Sequence, residues 1–304
     1  MLRVAITGAS GFCGSHLART AAAAGAEVRC LGRRPGPVGR HVRWDAAAET
    51  PDLRGADLVV HCAAAVGDHP PGSPAEAEQH AVNVDGTARL LEAAAGRPVV
   101  FVSSASVYDP RTDRSLVRED HPTAGGHRNA YGRTKAAADR LALASGAVAL
   151  RPRAVYGPGD PHLMPRLLER VRRGLLLLPG RDVPLSLTAV QNLADACLAA
   201  ATWQPGAYNI ADAAPYRRDA AVRTVLAVHG VRVRIGHVPV AATEFAARRG
   251  LLPGLTPYAV DQLARPVVLD TAKAFGQGYR PRWELASALS ATDDHGLATS
   301  AEIT

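Results

Sequence analysis

Short apolar runs rich in β-branched residues alternate with alanine-rich stretches through the first half of this 304-residue chain. The runs lie at 2–7, 27–31, 57–62, 98–103 and 147–151, and they carry few polar interruptions. That is the pattern of strands covered on both faces. Between them, apolar positions recur at helical spacing over 14–24, 75–95 and 129–145. Alternating strands and helices predict an α/β fold with a doubly wound parallel sheet, because parallel neighbours need a crossover and the crossover is right-handed.

After Arg151-Pro152 the rhythm changes. Gly157-Pro158-Gly159-Asp160-Pro161 reads as a loop, 162–173 as a short helix, and 207–210 as a strand able to rejoin the sheet. The expected organisation is a Rossmann-type domain over 1–155, a smaller C-terminal substrate-binding lobe over 156–285, and a flexible tail over 286–304. Residues 287–304 are small and polar and show no period.

Composition narrows the function. Cys13, Cys30, Cys62 and Cys197 lie far apart, so neither a metal-type pair nor a disulfide ladder is expected, and a reducing cytoplasm fits. No apolar run reaches the roughly 18 residues that a membrane span needs, and no secretion signal precedes the first strand. The net charge of +7 comes from scattered single and paired arginines, and aromatics are only 5% of the chain, so a nucleic-acid partner is not expected. Lysine occurs only at 135 and 273. An arginine-rich chain that keeps a lysine at 135 points to a chemical need there.

The first strand breaks into glycines at Gly8, Gly11 and Gly14, with Phe12 and Cys13 between the last two, before a helical pattern takes over. One glycine permits the sharp turn, one lets phosphates approach the backbone, and one lets helix and strand pack closely. Free amides and the positive helix end then favour an anion, and a dinucleotide pyrophosphate is the expected one.

A second cluster is Tyr131-Gly-Arg-Thr-Lys135. An i, i+4 spacing places phenol and ammonium on one helix face. A tyrosine titrates near ~10 and is a poor base until a positive charge lowers its pKa, which Lys135 is placed to do. Ser103-Ser104 ends a predicted strand at the carboxyl edge, where ligands bind in open α/β sheets.

Taken in order, several motifs resemble the extended short-chain dehydrogenase/reductase family, which includes NAD(P)-dependent epimerases and dehydratases. They are Thr7-Gly-x-x-Gly-x-x-Gly14, Asp57-Leu-Val-Val-His-Cys-Ala-Ala64, Asn83-Val-Asp-Gly-Thr87, Ser103-Ser104-x-x-Val-Tyr108, Tyr131-x-x-x-Lys135 and Arg151-Pro-x-x-Val-Tyr-Gly-Pro158. Asn209-Ile210 and Gly278-Tyr-Arg-Pro281 extend the likeness weakly. The resemblance implies that Tyr131 is the general acid/base. Lys135 would hold the nicotinamide ribose, and Ser104, four residues before Tyr108, would bond the reacting oxygen. It further implies that Ala63 and Ala64 line the ribose, Val155 meets the nicotinamide amide, Asp45 meets the adenine and Asn83 lies near the cofactor. Two chains are expected to pair through the helices around 85–95 and 130–145.

The end of the second strand reads Val28-Arg-Cys-Leu-Gly-Arg33-Arg34, without the acid that binds a ribose 2′-hydroxyl. Arg33, assisted by Arg34, suits a 2′-phosphate, so NADP is expected over NAD, with NAD an alternative. Within the family, Ala105-Ser106 stand where dehydratases carry Asp-Glu. Ala154 stands where nucleotide-sugar enzymes often carry Asn, and 183–188 lacks their diphosphate arginine, although Arg166 or Arg181 could substitute. Val66, Gly67, Leu163, Met164 and Leu175–Leu178 are the expected pocket residues, with His69 and His162 as candidate anchors. The expected activity is hydride transfer with a carbonyl or secondary alcohol of a small, fairly apolar metabolite. The alternatives are a nucleotide-sugar 4-epimerase or 4-keto reductase, and a non-catalytic NADP-sensing protein.

Overall fold

The computed structural model describes residues 1–161, 163–252 and 254–291. Seven parallel strands form the central sheet: β1 (Arg3–Thr7), β2 (Glu27–Gly32), β3 (Arg40–Arg43), β4 (Leu58–His61), β5 (Val99–Val102), β6 (Val148–Pro152) and the strand Gly206–Ile210. Their spatial order is β3-β2-β1-β4-β5-β6, with Gly206–Ile210 beside β6. The order reverses beside β1, and that is where open α/β sheets bind ligands.

Alternation along each strand feeds two cores. Val4 and Ile6 of β1 and Val60 of β4 face helix α1 (Phe12–Ala23) and helix Val190–Ala199. Ala5 and Val59 face the other way, against α3 (Gly86–Ala94) and α4 (Ala130–Ala144). Both faces are dry, which accounts for the unbroken apolar runs. The strand β3 was not foreseen. Its sequence Arg-His-Val-Arg is mostly exposed, and charged side chains suit the edge of a sheet.

The expected helix over 75–95 is interrupted. α2 (Pro74–His80) passes through a π-helical turn, Ala81–Asp85, before α3 begins. The turn carries Asn83, whose side chain is needed elsewhere, as described below.

Most of the remaining elements form a lobe over the carboxyl edge, while helix Ala272–Gly276 and Tyr279 return to the core on the α1 side of the sheet. The core of the lobe gathers Tyr156, Leu176, Leu178, Val222 and Leu226, with strand Leu175–Pro179 pairing in parallel with Arg234–Val238. Helix Leu285–Ser290 also docks here through Leu285 and Ala288. A flexible tail from 286 is therefore corrected as far as 290. A Glu284/Ser287 capping box holds the helix start, and its small residues hid the period. Residues 292–304 and His162 lie outside the described residues. Among the described residues, no helix is long and apolar enough to cross a membrane.

Candidate active site

The glycine loop is built by close approach. Gly8 has φ +67°, and a Cβ there would lie 2.8 Å from the Ala63 backbone; one on Gly14 would meet the Gly8 carbonyl oxygen at 2.3 Å. The first-turn amides of α1 follow N-cap Gly11, which supplies no side-chain cap, and the first turn carries no acid. Gly8, Gly11, Phe12, Cys13, Gly14, Arg33, Arg34, Asp45, Ala63, Ala64 and Val155 all line one cavity of about 1000 Å³. These residues fit a dinucleotide: uncapped amides over the glycines, an apolar floor at Ala63 and Ala64, and two exposed arginines that form no ion pair among the described residues.

A buried relay fixes the loop between strands. The Ala63 amide donates to Thr7 Oγ1 (3.1 Å), Thr7 bonds His61 Nδ1 (2.7 Å), His61 Nε2 bonds Thr87 Oγ1 (3.0 Å), and Thr87 donates to the Asn83 carbonyl (2.6 Å). Because Thr87 has spent its proton on that carbonyl, His61 carries its own on Nε2. Burial pulls the His61 pKa down to about 3, so the ring is neutral.

Asn83 does not line the cavity. Its amide accepts from the Ala65 N–H (2.7 Å) and donates to the Ala65 carbonyl (3.0 Å) and Thr134 Oγ1 (3.0 Å). The side chain expected near the cofactor instead pins the loop after β4 to α4. Asp45 lines the cavity and also holds its own turn, accepting from the Ala47 amide at 3.0 Å.

α4 carries the central pair. Asn129 caps it, accepting from the Gly132 amide at 2.9 Å. Glycine at 132 lets the helix approach closely, since a Cβ would lie 2.9 Å from the Ser106 carbonyl oxygen. Tyr131 and Ser104 both line the cavity, where Ser104 acts to lower the phenol's pKa, and the Ser104 hydroxyl lies 2.6 Å from Ser106 Oγ. Ser103 points away: its Oγ donates to Asp139 Oδ1 at 2.5 Å, inside a buried network with Arg151 and Tyr108.

Lys135 is only 2% exposed; its ammonium donates to the Val102 carbonyl at 2.7 Å and sits 4.1 Å from the centre of the Phe101 ring. Burial lowers its pKa to about 8 against the raising influence of Asp139. The Tyr131 phenol is raised by burial, with Tyr258 and Cys13 adding to the shift, and Lys135 does not offset it. The phenol is thus raised by desolvation, opposite in direction to the depression by Lys135 that the spacing predicts. Burial likewise pushes the Cys13 thiol up to about 12, so it is no nucleophile.

Toward the lobe, the cavity is lined by Val66, Gly67, Leu177, Leu178, Leu185 and Leu187. Arg166 lines it and Arg181 does not. His69 serves through its main chain, whose carbonyl accepts from the Ala130 amide at 2.9 Å. The side chains of Leu163 and Met164 lie outside the described residues. Ala154 has φ +43°, a left-handed position that suits Asn or Gly better than Ala. Lining residues that sequence reasoning missed include Arg114, Arg128, Arg153, Tyr258 and Asp261. Only Thr256-Pro257, a cap followed by a first-turn proline, signals the helix Pro257–Ala264 that carries the last two. Among the described residues, no His/Cys/Asp/Glu cluster is arranged to hold a metal.

A switch-point cavity with a glycine loop on one side and Ser104, Tyr131 and Lys135 on the other defines a dinucleotide-dependent enzyme of the short-chain type. The profile of the NAD dependent epimerase/dehydratase family matches residues 4–211, and the chain belongs to that family, within the extended short-chain dehydrogenase/reductases. It is similar to a 4-hydroxy-2-methyl-3-oxo-4-farnesyl-3,4-dihydroquinoline-1-oxide ketoreductase of Stigmatella aurantiaca, 29% identical over 97% of this chain and 95% of the relative. It is also similar to a 2-alkyl-3-oxoalkanoate reductase of Stenotrophomonas maltophilia, 31% identical over 87% of this chain and 90% of the relative. Among solved structures, MoeE5 in complex with UDP-glucuronic acid and NAD is 28% identical, with a TM-score of 0.73 over 95% of this chain and 96% of that one.

Proposed function

We propose that this protein is an NADP-preferring oxidoreductase that interconverts a carbonyl and a secondary alcohol on a small, largely apolar metabolite. The observation that carries the reading is that Ser104, Tyr131 and Lys135 line the same cavity as the glycine loop on one side and the leucines of the lobe on the other. The activities of the two relatives above, both reductions of oxo compounds, support it.

The nicotinamide, when bound, supplies or accepts the hydride. Gly8, Gly11, Gly14 and the first turn of α1 would hold the pyrophosphate; Arg33 and Arg34 would hold the 2′-phosphate; Lys135 would hold the nicotinamide ribose with the donors that Val102 does not use. Ser104 would orient the substrate oxygen, and Tyr131 would give it a proton during reduction. Burial that keeps Tyr131 protonated suits that direction, because an alkoxide forming on the substrate is a far stronger base than the phenolate left behind. Pairing of two chains through α3 and α4 belongs to the same proposal, supported by Leu141, exposed on α4. Placement in the cytoplasm is expected from the unpaired cysteines.

The likeness to MoeE5 favours a second reading, a nucleotide-sugar enzyme, with Arg166 in the cavity as a candidate diphosphate contact. Against it stands Ala154. The test is NADPH oxidation by the purified protein over a panel of apolar ketones and UDP-sugars. Ketone turnover is expected, falling about 10²–10⁴-fold in Tyr131→Phe with unchanged NADPH affinity. Interconversion of UDP-sugars without net NADPH consumption, or full turnover in Tyr131→Phe, would overturn the reading.

A further inference from the structure

We propose that the substrate carries a carboxylate, held by Arg114, Arg128 and Arg153 on the lobe side of the cavity. The inference rests on the oxidoreductase reading and specifies its substrate class.

The observation is an excess of buried positive charge. Asp261, fully buried on helix Pro257–Ala264, meets Arg114 Nη1 at 2.9 Å, Arg128 Nε at 3.2 Å and Arg265 Nη1 at 2.7 Å. Arg265 is 40% exposed and is also paired with Glu244 at 3.1 Å. Arg153, only 5% exposed, forms no ion pair among the described residues; its Nη1 and Nη2 donate to the carbonyls of Ser186 (2.8 Å) and Gln262 (3.1 Å). Two nitrogens remain without a hydrogen-bond partner, Arg153 Nε and Arg114 Nη2. A buried guanidinium is rarely left this way, since desolvation without a counter-charge is costly. Burial accordingly pulls Arg153 down to about 10.

Two carboxylates face the three arginines along the cavity, Asp261 and Asp68, and Asp68 also accepts from Asn129 Nδ2 at 3.1 Å and from Thr256. Within this cluster three cations stand against two anions, and one carboxylate would balance the charge left over. Tyr258 ties the cluster to the reacting centre: its hydroxyl lies 3.5 Å from Ser106 Oγ and within electrostatic reach of Tyr131 and Arg153. An acid whose oxo or hydroxyl group sits at Ser104 and Tyr131 would place its carboxylate past Tyr258. Its apolar remainder would face Leu177, Leu185, Leu187 and Leu255.

The test is calorimetric binding of decanoate, decanamide and UDP to the protein saturated with oxidised cofactor. Decanoate should bind roughly tenfold or more tightly than decanamide, the scale of hydrogen bonds to a charged group. That ratio should fall toward one in Arg153→Gln and in Arg128→Gln, with cofactor affinity unchanged. Arg153→Gln retains an amide donor for the Ser186 carbonyl; should it not fold, Arg128, 26% exposed, decides. Equal binding of acid and amide, a preference that survives substitution, or UDP binding more tightly than decanoate would overturn the carboxylate site. A decanoate preference in an enzyme that reduces no ketone would instead sink the oxidoreductase reading and leave the anion site standing. Turnover of ketones with no preference for acids would do the reverse.

Discussion

The Lys135 ammonium reaches through the core to the Val102 carbonyl, 2.7 Å away, at the last residue of β5. A charged group is thereby anchored at the strand end that Ser103 and Ser104 follow. Lys273 repeats the device at the edge of the sheet, donating to the Ala207 carbonyl at 2.8 Å over the Tyr208 ring.

This anchoring sets stability against function. A folded-state pKa near 8, below the ordinary ~10.4, means that the charged lysine opposes folding at neutral pH, by up to ~3 kcal/mol. Losing the bond to Val102 costs ~1–3 kcal/mol, so the two effects nearly cancel or favour the variant. Lys135→Met is expected to be no less stable than the parent without cofactor, by urea unfolding at pH 7, yet to lose NADPH affinity and turnover. A destabilisation well above ~1 kcal/mol, with cofactor affinity intact, would make Lys135 a structural residue.

Adjacent serines should separate. Ser103→Ala breaks a buried bond to Asp139 and is expected to cost ~1–3 kcal/mol of stability while sparing turnover. Ser104→Ala should lower turnover about 10²–10³-fold, the scale of a lost oxyanion donor, with little change in melting temperature. The reverse split, read from melting curves and steady-state kinetics, would exchange their roles.

Arg33 follows Gly32, the last residue of β2, exposed and lining the cavity. Arg33→Ala should weaken NADPH roughly tenfold or more and leave NADH nearly unchanged, measured by fluorescence titration. Equal losses for both cofactors would remove Arg33 from the 2′-phosphate.

Acid should unfold the protein through His61. The ring titrates near 3 when folded and near ~6.5 when unfolded, so within that window the unfolded chain binds the extra proton. The contribution is complete above pH ~6.5 and is lost as pH falls toward 3, at most ~5 kcal/mol. His61→Gln should flatten the decline in unfolding free energy between pH 6 and 4 while lowering stability at pH 7. An unchanged slope would place the acid sensitivity elsewhere.

The alternating runs, the glycine spacing and Tyr131-x-x-x-Lys135 were legible in the sequence, because backbone geometry imposes them locally. A two-faced strand must be apolar throughout, Gly14 must lack a Cβ to pass the Gly8 carbonyl, and an i, i+4 pair shares a helix face whatever surrounds it. The edge strand Arg40–Arg43 and the helix Leu285–Ser290 lacked such a period, and only their packing made them elements. Partnerships were decided by tertiary structure. Asn83 turns from the cavity because the π-helical turn aims it at Ala65, and Ser103 parts from Ser104 because Asp139 lies behind the strand. Tyr131 is raised rather than lowered because it is buried, which no spacing reports. Arg114 and Arg128 converge on Asp261 from more than a hundred residues away while Arg153 lines the same cavity, and the charge they leave over exists only where those segments meet.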